Sequence, residues 1–348
     1  MSSSGAMTEA LNILINKQDL SREQARTVMS VIMNGEATNA QIAGVITALR
    51  MKGESKDEIT GFAEAMRDQS SKIDTVQEGL LDTCGTGGSG ISKFNISTAS
   101  SIIAAAAGIR VAKHGNRAMS GKSGSADVLE ALGVHITISP EQAKLCLEDL
   151  GICFMFAQLY HPSLRHASAP RREIGIRNIF NMLGPLTNPA RADRQLLGIY
   201  DRGRTETIAS VLSDLGLRRA MVVSSHDGLD EISISAPTQI SELKDGQVIT
   251  YDITPEELGL TRRPISEVLG GGPEVNAALI RNVFTGEQRG AYRDIVLANA
   301  AACIYVGGQA ESHREGVEIA AHMLDSGAAE RKLEQLIAKT GELAHVSR

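Results

Sequence analysis

The chain has 348 residues, enough for two lobes or one large α/β domain, and its hydrophobic fraction of 42% is ordinary for a globular protein. Aromatics make up 3% with no Trp, and 35 Lys plus Arg stand against 41 Asp plus Glu, a net charge of −6. This argues against stacking platforms for single-stranded nucleic acid and against tracking a phosphate backbone, so no nucleic-acid partner is expected. A small polyanion held by local amides and cations remains open. No apolar run reaches the ~18 residues of a membrane span, and Met1–Ala6 lacks the basic and apolar regions of a signal peptide, so a flexible lead-in outside the fold is expected there. Cys84, Cys146, Cys153 and Cys303 form no C-x-x-C pair and read as reduced thiols of a cytoplasmic protein.

In chain order, residues 7 to about 72 read as helices. Ser21 with Gln24 spells a capping box before the stripe Val28, Ile32 and Met33, and Gly35 closes that helix. Thr38 caps the next, through Ile42, Val45, Ile46 and Leu49. Ser55 with Glu58 opens another, carrying Ile59, Phe62 and Met66. From Leu80 short apolar runs (80–83, 109–112, 153–156, 195–200, 220–223) alternate with helical periods (96–107, 126–132), the pattern of a parallel sheet with helices on both faces. Shorter strands at 238–243 and 247–252 follow. From Asn276 the chain is helical again, including 295–305.

Two loops carry the chemistry. Strand 80–83 runs into Gly85-Thr86-Gly87-Gly88-Ser89-Gly90, and a helix starts near Asn95-Ile96-Ser97-Thr98. Glycines let a ligand approach backbone N–H groups, and the helix start adds unpaired donors, so a phosphate or pyrophosphate socket is expected. Gly85, Gly87 and Gly90 also satisfy G-x-G-x-x-G. A dinucleotide site, however, wants an acidic residue about 20 positions on, where this chain has Lys113-His114. A structural turn is the bland alternative. The second loop, Lys113 to Ser125, packs three cations, four hydroxyl or amide side chains and three glycines into 13 positions. Neither a solvated charge run nor a core element needs that mixture, and adjacent strand ends would place it beside the glycine loop.

GTGG, then N-I-S-T, then KHGNRAMSGKSGSADVLEALG, then GIRNIFNMLGPLTNPA (Gly175–Ala190), then DGLDEIS (Asp227–Ser233) resemble, in order and over nearly the whole chain, the anthranilate phosphoribosyltransferase family of tryptophan biosynthesis. The resemblance implies a type III phosphoribosyltransferase fold of class α/β: a small helical lobe on a large α/β lobe with a central, mostly parallel sheet. The helical lobe would span 1–76 plus about 172–190, and the α/β lobe 77–171 and 191–348. It implies a homodimer packed through helical lobes, the substrates anthranilate and 5-phosphoribosyl 1-pyrophosphate, and Mg²⁺.

The reaction it implies is displacement at the anomeric carbon, which needs a clamp on the leaving group rather than a covalent nucleophile. By the resemblance, Gly85, Gly88, Ser89, Lys93, Asn95, Ile96, Ser97, Thr98, Lys113, His114, Gly115, Asn116, Arg117, Ala118, Met119, Ser120, Gly121 and Ser125 would hold the phosphoribosyl pyrophosphate. Gly85, Asn116, His161 and Arg171 would hold anthranilate, with His114 as an orienting group. Ser97, Asp230 and Glu231 would hold the metal. Taken alone, Asp230-Glu231 is a solvated turn, Arg171 a surface partner of Glu173, and His161 a helix-entry residue.

The chain departs from the family at two positions. The loop usually reads GTGGDG, but here the Asp position is Ser89, and four residues on stands Lys93 in place of a neutral residue. In one reading Lys93 neutralises the pyrophosphate directly and replaces part of a Mg²⁺ site. In another the chain is a variant or paralogue with a different acceptor or reduced activity. A nucleoside phosphorylase of the same fold is a further alternative, though the KHGNR and GPLTNP runs speak against it.

Overall fold

The computed structural model describes residues 3–118 and 121–346. Helices α1 (Ser3–Ile15), α2 (Arg22–Met33), α3 (Asn39–Lys52) and α4 (Lys56–Asp68) come first. Capping boxes form at the starts of the last three, Ser21 with Gln24, Thr38 with Gln41 and Ser55 with Glu58, each satisfying two backbone donors that a helix start leaves open. Helix α1 begins inside the segment expected to be a flexible lead-in. It is drawn into the bundle because Met7, Ala10 and Leu14 are buried.

The chain then alternates: β1 (Leu80–Gly85), α5 (Ile96–Ala106), β2 (Arg110–Gly115), α6 (Ser125–Leu132), α7 (Pro140–Leu150) and β3 (Ile152–Phe156). Short helices α8 (Ala157–Tyr160), α9 (Arg165–Ile174) and α10 (Phe180–Leu183) lead to β4 (Arg194–Gly198), α11 (Thr205–Asp214) and β5 (Arg219–Ser225). The strands β6 (Thr238–Lys244) and β7 (Gln247–Ile253) precede α12 (Pro273–Thr285), α13 (Ala291–Val306), α14 (His313–Asp325) and α15 (Ala328–Val346). Among the described residues no helix is long and apolar enough to cross a membrane.

The sheet has seven strands in the order β3-β2-β1-β4-β5-β6-β7. The strands β3 to β5 in that order run parallel, whereas β6 and β7 add an antiparallel hairpin. Its tight turn, Asp245-Gly246, has positive φ at both residues, as a two-residue hairpin requires. Alternation along the strands divides the interior. Leu196, Met221 and Val223 face a cluster with α5, α12 and α13. Leu197, Ala220 and Val222 face a second cluster with α1 to α4 and with Ile179, Phe180, Leu183 and Leu186.

Chain order reverses direction at β1, which lies between β2 and β4, and such a switch point opens a crevice beyond the carboxyl ends of the strands. Two strands run further toward that crevice than the apolar runs indicate. Strand β1 continues to Gly85, paired with Gly198, and β2 continues through Lys113 and His114, paired with Phe154 and Met155. Polar residues there read as loop from sequence, yet ladder pairing with a neighbour on one side keeps them extended.

Candidate active site

Strands β1 and β2 pair only at Leu80–Arg110 and Leu81–Val111, then part. In the gap stands Asp82, fully buried, whose Oδ1 accepts the His114 amide at 3.0 Å. Burial pushes the Asp82 carboxyl up, offset in part by Asn188, the His114 amide and Lys113. Lys113 is 3% exposed; its ammonium donates to the Thr83 carbonyl and lies 3.4 Å from Ser97 Oγ. The two strands thus open toward the crevice around two buried ionisable side chains, Asp82 and Lys113.

The glycine loop follows β1. Gly87, Gly88 and Gly90 all have positive φ, a backbone that non-glycine residues adopt with strain. No side chain caps α5 at Asn95, so first-turn donors of that helix other than the Ile96 amide are left for another acceptor. Asn95 instead joins the two loops. Its Nδ2 donates to the Ser123 carbonyl at 3.1 Å, and its Oδ1 accepts from Ser123 Oγ at 3.1 Å and from Asn276 Nδ2 at 2.9 Å. Ser97 follows in the first turn. Thr98 is buried with no partner for its hydroxyl among the described residues, and Ile96 is in the core, its N–H donated to the Phe94 carbonyl.

The basic loop is organised by Asp127, which accepts the Ala118 and Gly124 amides at 2.9 Å each. Its carboxyl is held low: burial opposes the charge, but these amides and Arg117 outweigh it. Arg117 pairs with Asp127 and Glu130 and lies over the Phe156 ring, committed to the loop itself. A Cβ on Gly115 would stand 2.1 Å from Ser125 Oγ, so glycine lets Ser125 close onto the strand end, where its hydroxyl donates to the Asn116 carbonyl at 3.4 Å. Gly121 is exposed with open space around it. Met119 and Ser120 lie outside the described residues.

Asp230 and Glu231 are 2% and 7% exposed, so the pair is no solvated turn. It is set against the ends of β1 and β4: a Cβ on Gly85 would be 3.2 Å from Asp230 Oδ2, and one on Gly198 would be 2.0 Å from the Asp230 carbonyl. Behind it, Asn299 of α13 exchanges two hydrogen bonds of 2.9 Å with Ile232. The Ser89 side chain favours the charged form of Asp230, and the Lys93 ammonium lies 2.8 Å from Asp230 Oδ1 and 2.9 Å from Glu231 Oε1. Burial works against all three charges. Asp230 is nevertheless held low by Lys93, and Lys93 is held high by its two carboxylates, whereas burial still prevails at Glu231 and raises it. Lys93 therefore turns onto the acidic pair. The oxygen donors suit a hard cation in kind, but an ammonium already occupies their focus. Among the described residues no group of three or more His, Cys, Asp or Glu could hold a metal ion.

His114 and His161 form a buried ring pair, centroids 5.1 Å apart. The backbone of Gly184 and of Thr187, in the GPLTNP run, favours the charged form of His114 and of His161 respectively, and among the described residues neither Nε2 has a hydrogen-bond partner. Burial lowers both, His161 to about 4, so both are neutral at physiological pH. Arg171 makes no salt bridge to Glu173. Among the described residues it has no carboxylate partner at all, and its guanidinium lies over the Phe180 ring at 4.9 Å, its pKa lowered by burial.

Several contributors escape a reading of the sequence. Arg177 Nη2 donates to the Gly88 carbonyl at 2.6 Å and its guanidinium lies over Tyr200, fastening the glycine loop. Its signal was present in the GIRN run. Asp82, Asn276 and Asn299 give no local signal, because the groups they hold lie in other elements.

Residues 8–70 match the helical bundle domain of the glycosyl transferase family and residues 77–330 match its a/b domain. The chain is 49% identical over 341 residues to an anthranilate phosphoribosyltransferase of Brevibacillus brevis, covering 98% of this chain and 100% of that one. It is 50% identical over 334 residues to that of Thioalkalivibrio sulfidiphilus, covering 96% and 98%. Among solved structures, the anthranilate phosphoribosyltransferase of Thermus thermophilus superposes with a TM-score of 0.90 at 42% identity, covering 95% of this chain and 99% of that one. The Saccharomyces cerevisiae enzyme in complex with PRPP and Mg superposes with a TM-score of 0.89 at 25% identity, covering 98% and 99%. The fold and the joined loops thus define a two-lobed transferase of the glycosyl transferase family. Within that class, the chain belongs to the anthranilate phosphoribosyltransferase family.

Proposed function

We propose that the chain transfers the phosphoribosyl group of 5-phosphoribosyl 1-pyrophosphate to the amine of anthranilate and releases pyrophosphate, as a step in tryptophan biosynthesis. The observation that carries this reading is the Asn95–Ser123–Asn276 bridge, which makes one cradle of the glycine loop and the basic loop at the sheet's switch point. The amine nitrogen forms a bond to the anomeric carbon as the bond to the pyrophosphate oxygen breaks, and the amine then loses its proton. The transition state separates positive charge on the sugar from negative charge on the leaving group. Oriented N–H donors on the glycine loop and α5 stabilise the latter without reorganising. Arg171, lacking a carboxylate partner, is poised for the acceptor's carboxylate, which its fork can bind at both oxygens. The His114 and His161 rings are buried and neutral, and each Nε2 lacks a partner among the described residues, so either could orient a proton of the amine once the acceptor opens the site. The aniline-type amine is already unprotonated at neutral pH and needs no strong base.

We assign Mg²⁺ to the diphosphate, with Ser97 as its protein hydroxyl; when bound it neutralises the departing charge. Loss of anthranilate fluorescence on mixing the chain with phosphoribosyl pyrophosphate and Mg²⁺ is the test, and no loss with a folded chain overturns the reading. We further propose a homodimer through the helical lobe, supported by the exposed apolar side chains Ile15 on α1 and Met51 on α3; a monomeric mass in sedimentation refutes it. A cytoplasmic setting is supported by four free cysteines, and finding the chain in a secreted fraction would refute it.

A further inference from the structure

We propose that Lys93 is a tethered cation for the Asp230–Glu231 pair, so that the acidic turn does not take up a divalent metal ion while this lysine is in place. The inference deepens the function proposed above, on which its catalytic meaning rests. The Lys93 ammonium is within reach of three oxygens of the turn: Asp230 Oδ1 at 2.8 Å, Glu231 Oε1 at 2.9 Å and the Asp230 carbonyl at 3.4 Å. That is the focus a metal ion held by both carboxylates would use. The carboxylates are adjacent and nearly inaccessible to water, so holding both charged there is costly without a counter-charge.

The lysine is built in rather than loosely recruited. Its backbone makes a bridge to Leu269, and the Gly270 amide donates to the Ser92 carbonyl at 2.7 Å. Gly270 itself is pressed against Phe94, where an added Cβ would come within 2.5 Å of the backbone nitrogen. The stem therefore leaves from a pinned position. A divalent ion entering the pair would set two cations against two carboxylates. Electrostatics disfavours such sharing. In this chain the metal that matters is thus the one carried by the diphosphate.

The test is a Mn²⁺ titration of the full chain without substrate, followed by loss of the free-ion electron paramagnetic resonance signal. The native chain is expected to leave Mn²⁺ free, whereas Lys93→Thr gains one site per chain, at least about tenfold tighter than any native binding. Adding Asp230→Asn to Lys93→Thr is expected to abolish that site. Mg²⁺ is also expected to raise the melting temperature of the variant but not of the native chain. If the shorter residue fails to fold, Lys93→Gln, which keeps most of the stem and a donor, is expected to show the same gain. Native Mn²⁺ binding of one ion per chain, lost with Asp230→Asn, overturns the proposal, as does a folded Lys93 variant that gains no site. Because no substrate is present, these outcomes are separate from the anthranilate fluorescence assay, whose failure would strike the proposed function alone.

Discussion

Gly198→Ala isolates the contact that seats the acidic turn. The added Cβ would lie 2.0 Å from the Asp230 carbonyl oxygen and 2.8 Å from its carbon. A carbon–oxygen contact is comfortable at about 3.3 Å, so the two must separate by roughly 1.3 Å. The strand cannot retreat easily. Gly198 pairs with Gly85 on one side and Val223 on the other, and its carbonyl accepts the Thr86 amide at 2.9 Å. The displacement therefore falls on Asp230, and through it on Lys93 and Glu231.

Overpacking of this kind costs about 1–3 kcal/mol of stability. Misplacing a group at a reacting centre by about 1 Å costs roughly a hundredfold in rate, or ~2.7 kcal/mol of transition-state stabilisation. The assay is steady-state loss of anthranilate fluorescence beside thermal melting, with Gly341→Ala as control, since a Cβ there, in α15, meets nothing within 4 Å. A Gly198→Ala chain that melts with the native protein and turns over within about twofold of it would refute the claim that strand β4 sets the position of this turn.

Arg171→Ala should weaken anthranilate binding by roughly 10–100-fold, the scale of a lost charged hydrogen bond, with little change for phosphoribosyl pyrophosphate; equal losses in calorimetry remove the assignment. Arg177→Ala should raise the KM for phosphoribosyl pyrophosphate more than it lowers kcat, by about fivefold for one loop hydrogen bond, and Arg177→Lys should recover part of the loss. An unchanged KM would make Arg177 incidental to the loop. For acid stability the window is set by His161. The unfolded chain takes up its proton near pH 6.5 and the folded chain only near 4, so stability is lost as pH falls between these values. The loss attributable to His161 approaches ~3 kcal/mol, and His114 adds in the same direction. Urea unfolding at pH 7 and 5 should therefore show a shallower pH dependence in His161→Gln, and identical slopes would contradict the buried neutral ring.

The amino-acid sequence alone determined the helix starts, because a capping box is complete within four residues, and it determined the two ligand loops, because glycine and charge spacing are local properties. It also carried the family, through motifs that keep their order over most of the chain. Tertiary structure decided what those residues do to one another. Lys93 and the Asp230–Glu231 pair lie far apart in sequence, and only the neighbouring of β1, β4 and β5 turns Lys93 inward onto buried carboxylates. The same holds for Asp82, which holds β2 where two strands part, and for Asn276 and Asn299, whose hydrogen bonds pin loops from other elements. Their signals are invisible locally because a buried polar group is defined by its partners, and partners are chosen by packing.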